Sequence, residues 1–189
     1  MKKILFSTLA ASMLFVNLAN AKEYVLDTAH TEVGFKVKHM QVSNTKGNFG
    51  EFSGELDFDT DKRVLNKLNA VIKMNSINTN NDKRDDHLRT AEFFDVEKYP
   101  EMKFEMTKFI PDSDDSDEGK VIGNLTIKDV TKEIELDYEF GGLAKNEQID
   151  KVGFTLEGEI DRTAFNVGDA GFAIGSNVKI EIEVEADAK

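Results

Sequence analysis

The chain has 189 residues, with 36 Asp and Glu against 24 Lys and Arg, for a formal net charge of −12 and a pI near 4.7. That length suits one domain, and 40% hydrophobic residues are enough for a packed core. The acidity argues against nucleic-acid binding and against docking on anionic membrane surfaces, which use clustered Lys and Arg, while the absence of Cys excludes disulfides, a thiolate nucleophile, Cys-ligated zinc and a lipoprotein anchor.

Met1-Lys2-Lys3 is a short positive start, residues 4–18 are a mostly apolar run, and Ala19-Asn20-Ala21 is a small-x-small cleavage site. This pattern predicts a secretory signal peptide over residues 1–21, cleaved after Ala21. The run of 15 residues is shorter than the ~20 that a spanning helix needs. Residues 22–189 are then expected to form the mature domain, periplasmic and not inserted in a membrane. It keeps 22 basic against 36 acidic residues, a net charge of −14.

From there the chain alternates. Val33, Phe35 and Val37 fall on one face, with Glu32, Lys36 and Lys38 on the other. The same period-two pattern runs through Phe52 to Phe58, Leu68 to Met74, Met102 to Met106, Val121 to Ile127, Ile134 to Phe140, Val152 to Ile160 and Val178 to Val184. These are eight strands, each with one apolar face, and a short ninth is possible at Tyr24 to Leu26. One-faced strands joined by local turns predict an all-β, antiparallel up-and-down barrel. Asp59-Thr60-Asp61, Asp129-Val130-Thr131 and Gly141-Gly142 supply turns, Met40 to Asn48 reads as irregular with Gly47 as its turn, and residues 112–119 form a solvated loop.

One segment leaves the alternation. Asn80-Asn81 can cap a helix over residues 82–90, and Phe93, Phe94 and Tyr99 are expected to pack this short helical excursion over an open end of the barrel. On that helix, Arg84-Asp85-His87 either pins the excursion to the rim or binds an anion. His30 follows Asp27 by three residues, which predicts a turn contact.

Enzyme signatures are missing: there is no G-x-S-x-G, no Walker A sequence and no helical His pair. Asp57-x-Asp59-x-Asp61 resembles the start of an EF-hand loop but lacks the required Gly at Lys62 and the bidentate acid at Leu68. No catalytic residue, metal or cofactor is assigned. What remains is the inside of the barrel. Eight strands enclose a bore that side chains fill or that holds one small ligand, and the residues alone leave both open. A slender apolar tail gains ~0.8 kcal/mol per buried methylene, so ten give ~8 kcal/mol before ordering costs.

The motifs resemble the YceI family of periplasmic lipid-binding proteins across about Tyr24 to Ala186. They are Asp27-x-x-His30-Thr31-x-Val33-x-Phe35-x-Val37-x-His39, then Gly47-Asn48-Phe49 with Phe52-Ser53-Gly54, and Asn78-Thr79-Asn80-Asn81-x-x-Arg84-Asp85-Asp86-His87-Leu88. Gly123-x-Leu125-Thr126 with Thr131-Lys132, and Arg162-Thr163-Ala164-Phe165, complete the likeness. Asp129 stands where that family has Gly, Thr31 replaces Ser, and Asn166-Val167 replaces Gly-Met. The resemblance implies a lipocalin-like eight-stranded antiparallel barrel, usually a homodimer, holding a long isoprenoid or fatty-acyl chain in its bore.

Two functions follow. The first is a noncatalytic protein that carries or sequesters such a lipid. Phe35, Phe52, Leu56, Phe104, Leu125, Phe154 and Ile180 would contact the tail, and His30, Arg84, His87 and Arg162 are candidates for the rim or the headgroup. The second is a stress or interaction protein whose barrel is a filled scaffold without a lipid.

Overall fold

Alternation puts every second side chain of a strand on one face, and a closed ring of such strands turns that face into a bore. The computed structural model describes residues 21–189; the expected signal peptide, but for Ala21, lies outside the described residues. Eleven strands are present among them: β1 (Ala21–Leu26), β2 (Glu32–His39), β3 (Ser43–Phe49), β4 (Phe52–Asp59), β5 (Val64–Lys73), β6 (Ile77–Asn78), β7 (Glu101–Pro111), β8 (Glu118–Ile127), β9 (Val130–Lys145), β10 (Asp150–Asp161) and β11 (Ile174–Ala188). One α-helix, α1 (Asp82–Arg89), lies between β6 and β7.

All pairings are antiparallel, and β1, β4, β5, β7, β8, β9, β10 and β11 close into a ring through a β1–β11 contact. Strand β2 runs beside the first part of β11, β3 beside β2 and β6 beside β3. The pairs β1 and β2, β3 and β4, and β5 and β6 are therefore halves of three bent staves. The barrel has eight staves in up-and-down order, as the alternation predicts.

Three local expectations need correction. Residues 43–49 are not irregular but form β3, whose inward positions are Thr45 and Gly47, opposite Val37 and Phe35. Gly47 is no turn: a Cβ there would lie 2.4 Å from the Phe35 ring. The turn is at Met40 and Gln41, both left-handed, with the Val42 N–H donating to the His39 carbonyl as in a type I′ hairpin. Gly141 and Gly142 are not a turn either. They sit inside β9 at a bulge where the register slips between Gly153 and Phe154. Asp129 in place of Gly needs no positive φ, because the left-handed residue of that hairpin is Lys128.

The break between β1 and β2 is built by the Asp27-x-x-His30-Thr31 motif. The Thr31 hydroxyl donates to the Glu185 carbonyl and accepts from the Glu185 N–H, standing in for two ladder bonds. Asp27 accepts from the Ala29 N–H at 3.0 Å and pairs with His30 Nδ1 at 2.8 Å and Lys151 Nζ at 2.7 Å. Hydrogen bonds from Lys151, then His30, then Ala29 hold the Asp27 carboxyl well below the usual carboxylate range. The Asp27 carboxylate raises the His30 imidazole.

The barrel is filled at one end. Tyr24, Leu56, Phe58, Leu65, Val121, Tyr138, Val152 and Phe154 are buried there. Tyr138 sits between Phe109 and Phe154, with ring centroids 5.0 and 5.3 Å away, and Phe58 stacks on Phe140 at 6.0 Å. The plug lies at the end of the β4–β5, β7–β8 and β9–β10 connections. Asp59 belongs to the first of these: its carboxylate accepts from the Asp61 and Lys62 N–H groups and from Lys62 Nζ. That turn accounts for the EF-hand-like spacing without a metal.

Two predictions follow from this packing. The Tyr138 hydroxyl is buried with no hydrogen-bond partner among the described residues, so Tyr138→Phe should raise stability by about 1 kcal/mol, read from denaturant midpoints at constant slope. The raised His30 stabilises the fold below its unfolded pKa of about 6.5, and that contribution is lost as pH rises through the folded value. The gap in stability between wild type and His30→Ala should thus be larger at pH 5.5 than at pH 8.5; an equal gap would mean that the Asp27–His30 pair contributes nothing.

Candidate functional site

The other end of the barrel is not filled. A cavity of about 440 Å³ occupies the bore there, within the range of ligand pockets and roughly three times the ~150 Å³ apolar void that takes up benzene. Its wall is made by inward positions from all eight staves, and Phe93 and Phe94 of the excursion help to enclose it. The lining is overwhelmingly apolar. Val33, Phe35, Val37, Val178, Ile180 and Ile182 point inward yet remain only partly buried, because nothing packs against them from across the bore.

Two glycines keep the wall thin. Phe35 lies over Gly47, and Phe104 lies over Gly123, where a Cβ would fall 2.4 Å from the Phe104 ring. Each ring is laid flat against a neighbouring strand that offers no side chain. With a larger residue at either position, the ring would have to turn into the lumen.

The mouth is formed by the β2–β3 tip, the excursion, the β8–β9 turn and the β10–β11 connection. The helix α1 starts at Asn81, whose side chain accepts from the Arg84 N–H at 3.0 Å. Asp85 is buried and accepts from the Thr79 N–H at 3.0 Å, while Arg84 donates through Nε to the Thr79 hydroxyl and through Nη2 to the Thr79 carbonyl, each at 2.7 Å. The anchor to the barrel is instead Arg89, which donates to the carbonyls of Asn75 and Ile77 at 3.0 Å. His87 pairs with Glu92 at 2.8 Å and meets the Phe93 ring edge-on at 5.0 Å.

Arg162 organises the opposite rim. It is buried, and its guanidinium donates to the carbonyls of Val167 at 2.6 Å, Gly175 and Asp169 at 2.9 Å and Ile174 at 3.1 Å. Burial lowers its pKa; no carboxylate is in ion-pair contact with it among the described residues. Gly168, left-handed at φ +63°, lets the loop pass within contact of Phe93 and Arg162. Lys128 then ties the two rims together, donating to the carbonyls of Phe93 at 3.0 Å and Asn166 at 2.8 Å.

The structure divides the residues expected at the site. Phe35, Phe52, Phe104, Leu125 and Ile180 line the cavity, as do Arg84, His87 and Arg162. Leu56 and Phe154 face inward but belong to the packed plug. His30 is exposed on the outer surface and does not line the cavity. Asp27, His30 and Glu185 form a three-ligand cluster, but Lys151 Nζ sits 2.7 Å from both carboxylates, so a fixed cation already serves them. Tyr99 does not line the cavity, unlike Phe93 and Phe94. Residues not anticipated include Phe49, Thr45, Leu88 and His39. The parity of Val33, Phe35 and Val37, extended by two, already pointed to His39.

A closed eight-stave antiparallel barrel, plugged at one end and open over an apolar cavity at the other, defines a lipocalin-like class of protein. The chain belongs to the YceI family: the YceI-like domain model matches residues 24–186. It is 36% identical to the UPF0312 protein of Vibrio campbellii over 99% of this chain and 98% of that one. It is 35% identical to the YceI protein of Salmonella newport over 98% and 97%. Among solved structures, the Campylobacter jejuni YceI protein is 44% identical and superposes with a TM-score of 0.74 over 87% of this chain and 96% of that one. A polyisoprenoid-binding domain from Saccharophagus degradans shares the fold at 15% identity, TM-score 0.66, over 88% and 98%.

The rim arginines should rank by what they leave behind. Arg162→Met strands four carbonyls and should cost about 3 kcal/mol or more, and Arg89→Ala about 2 kcal/mol. Arg84→Ala should cost least, since Arg84 is exposed and Asp85 still holds Thr79. Thermal melts of the three variants check this order, and a loss for Arg84→Ala above that for Arg89→Ala would overturn it.

Proposed function

We propose that this protein is a noncatalytic carrier or sequestering protein for a long-chain apolar lipid, isoprenoid or fatty-acyl, held in the open half of the bore. The observation that carries the reading is the ~440 Å³ cavity with an overwhelmingly apolar lining. A tail entering it displaces no buried hydrogen bond and gains roughly 0.8 kcal/mol per methylene. The polyisoprenoid-binding domain of Saccharophagus degradans offers a precedent for this fold holding such a chain.

Of Arg84, His87 and Arg162, Arg84 is the cation best placed for an anionic headgroup, and Lys38 at the β2–β3 tip also lines the cavity. Arg84 lines the cavity, is exposed, and binds Thr79 through Nε and Nη2 only. His87 pairs with Glu92, and Arg162 is fully engaged with carbonyls. The plug bears on the second reading: a filled scaffold describes Leu56, Phe58, Tyr138 and Phe154 but not the half of the bore around Phe35 and Ile180. We further propose a periplasmic location after cleavage at Ala21. That cleavage leaves Lys22 first, with its ammonium 2.6 Å from Asp150.

Native mass spectrometry of untreated protein, followed by organic extraction, tests the carrier reading. A bound mass of lipid size is expected, with a negative heat-capacity change on reloading the extracted protein. Gly47→Val, which drives the Phe35 ring into the lumen, and Ala70→Phe should each reduce the bound fraction while the protein still folds. A homogeneous unliganded mass, with no uptake of an added polyprenyl phosphate or fatty acid, would leave the scaffold reading.

A further inference from the structure

The net charge of the protein conceals a local reversal. Asp and Glu make up 36 of 189 residues, about one in five, yet none occurs in residues 33–50 or 170–180. These two segments are neighbours: His39 pairs with Ile174, and the Met40 N–H donates to the Ala173 carbonyl at 3.0 Å. Together they form the β2–β3 tip, the start of β11 and the loop before it, at the mouth of the cavity.

The outer face of this region is basic. Lys36 stands opposite Lys46 on β3 and opposite Lys179 on β11, and Lys38 follows two residues along on the same face. Acids paired with this face are Glu181, which pairs with Lys36, and Glu159, which faces Lys179 across the ladder and accepts from Asn177. At the tip itself the side chains are apolar and exposed: Val42 is 83% exposed, Phe172 71% and Met40 43%. Continuing the ladder past Ile174 sets Phe172 opposite the Met40–Val42 turn. Lys38, His39 and Ala173, all exposed, also line the cavity, so this apolar tip borders its opening.

We propose that the β2–β3 tip and the Phe172 loop form a docking surface for an anionic phospholipid bilayer, set so that the open end of the bore faces the lipid. Met40, Val42 and Phe172 enter the interface, and Lys36, Lys38, Lys46 and Lys179 meet the phosphates. Acids resume on the other sectors of the rim, with Asp82, Asp86 and Glu92 on the excursion, Asp129 in the β8–β9 turn and Asp169 before the Phe172 loop, so the tip and not the whole rim makes the contact. At physiological salt the Debye length is about 8 Å, so the lysines that touch the phosphates act on them directly, while carboxylates farther away than that are largely screened. The surface gives the lipid-carrier reading a route between membrane and bore, and it rests on that reading for its purpose but not for its chemistry.

The chain has no Trp, so one introduced Trp reports its own surroundings. Val42→Trp is placed at the tip, and Val25→Trp, on an exposed strand position near the plugged end, is the control. With vesicles of phosphatidylglycerol and phosphatidylcholine, the emission of Val42→Trp should shift to the blue and that of Val25→Trp should not. Adding Lys46→Glu and Lys179→Glu, neither of which lines the cavity, should lower partition by about tenfold or more. High salt should lower it too, and pure phosphatidylcholine should bind less. Equal responses at positions 42 and 25, or none at 42, would overturn the proposal. So would a concentration-dependent blue shift of Val42→Trp without vesicles, which would make the tip an interface between copies of the chain. Vesicle binding without lipid uptake would leave the docking surface standing and remove the carrier; uptake from dispersed lipid without vesicle binding would do the reverse.

Discussion

The molecule depends on how much side-chain volume the inner face of a closed eight-stave sheet receives at each level. Closure fixes the bore, and strand parity fixes which residues enter it. Volume then decides whether a level is solid. Toward the plugged end, Tyr24, Phe58, Tyr138 and Phe154 meet across the axis. Toward the mouth, Val33, Val37, Val178 and Ile180 are too small to span the bore, and the Phe35 and Phe104 rings lie against Gly47 and Gly123 of neighbouring strands. One closed sheet thus holds a solid core and a cavity in series, with a second buried cluster of Phe49, Ile72, Met74 and Ile77 in the cavity's wall.

Around the open end, packing is confined to the wall, where Leu88 and Phe94 lie against that buried cluster. Polar bonds to backbone carbonyls add to that hold. Arg89 holds Asn75 and Ile77, Arg162 holds Val167, Asp169, Ile174 and Gly175, and Lys128 joins Phe93 to Asn166. Cations suit this task because their donors satisfy carbonyls that irregular segments cannot pair, and charged donors make stronger bonds than neutral ones. Arg89, Lys128 and Arg162 are therefore structural cations, whereas Arg84, which binds Thr79 through Nε and Nη2, lines the cavity as an exposed side chain.

The eight-stranded antiparallel barrel and the parity of its long strands were legible in the sequence because alternation reports face directly. Parity is silent about height along the axis. Leu56 and Phe154 alternate just as Leu125 and Ile180 do, yet the first two lie in the plug, which only the volumes across the bore determine. Strand β3 was hidden for a related reason: its inward residues, Thr45 and Gly47, carry no hydrophobic signal, because Phe35 of the next strand covers Gly47. Gly141-Gly142 misled because glycine marks bulges as well as turns. Asp27-x-x-His30 showed its turn contact in its spacing, but not that the turn would place His30 on the outer surface.

The same limit applies to charge. A net charge describes a molecule seen from beyond a Debye length, whereas contact is governed by the groups within one. Excluding anionic surfaces from the composition alone assumes that the carboxylates are evenly spread. In this fold they are not, because residues 33–50 and 170–180, separate in sequence, are joined through β2 and β11 at one end of the barrel. It is the end where the bore is empty, where the mouth is held by cations on carbonyls, and where large apolar side chains stay exposed. If the bore carries a long lipid chain, as proposed, a membrane is the natural apolar phase to supply it, and the basic strip, apolar tip and open bore then meet at the end that would face that membrane.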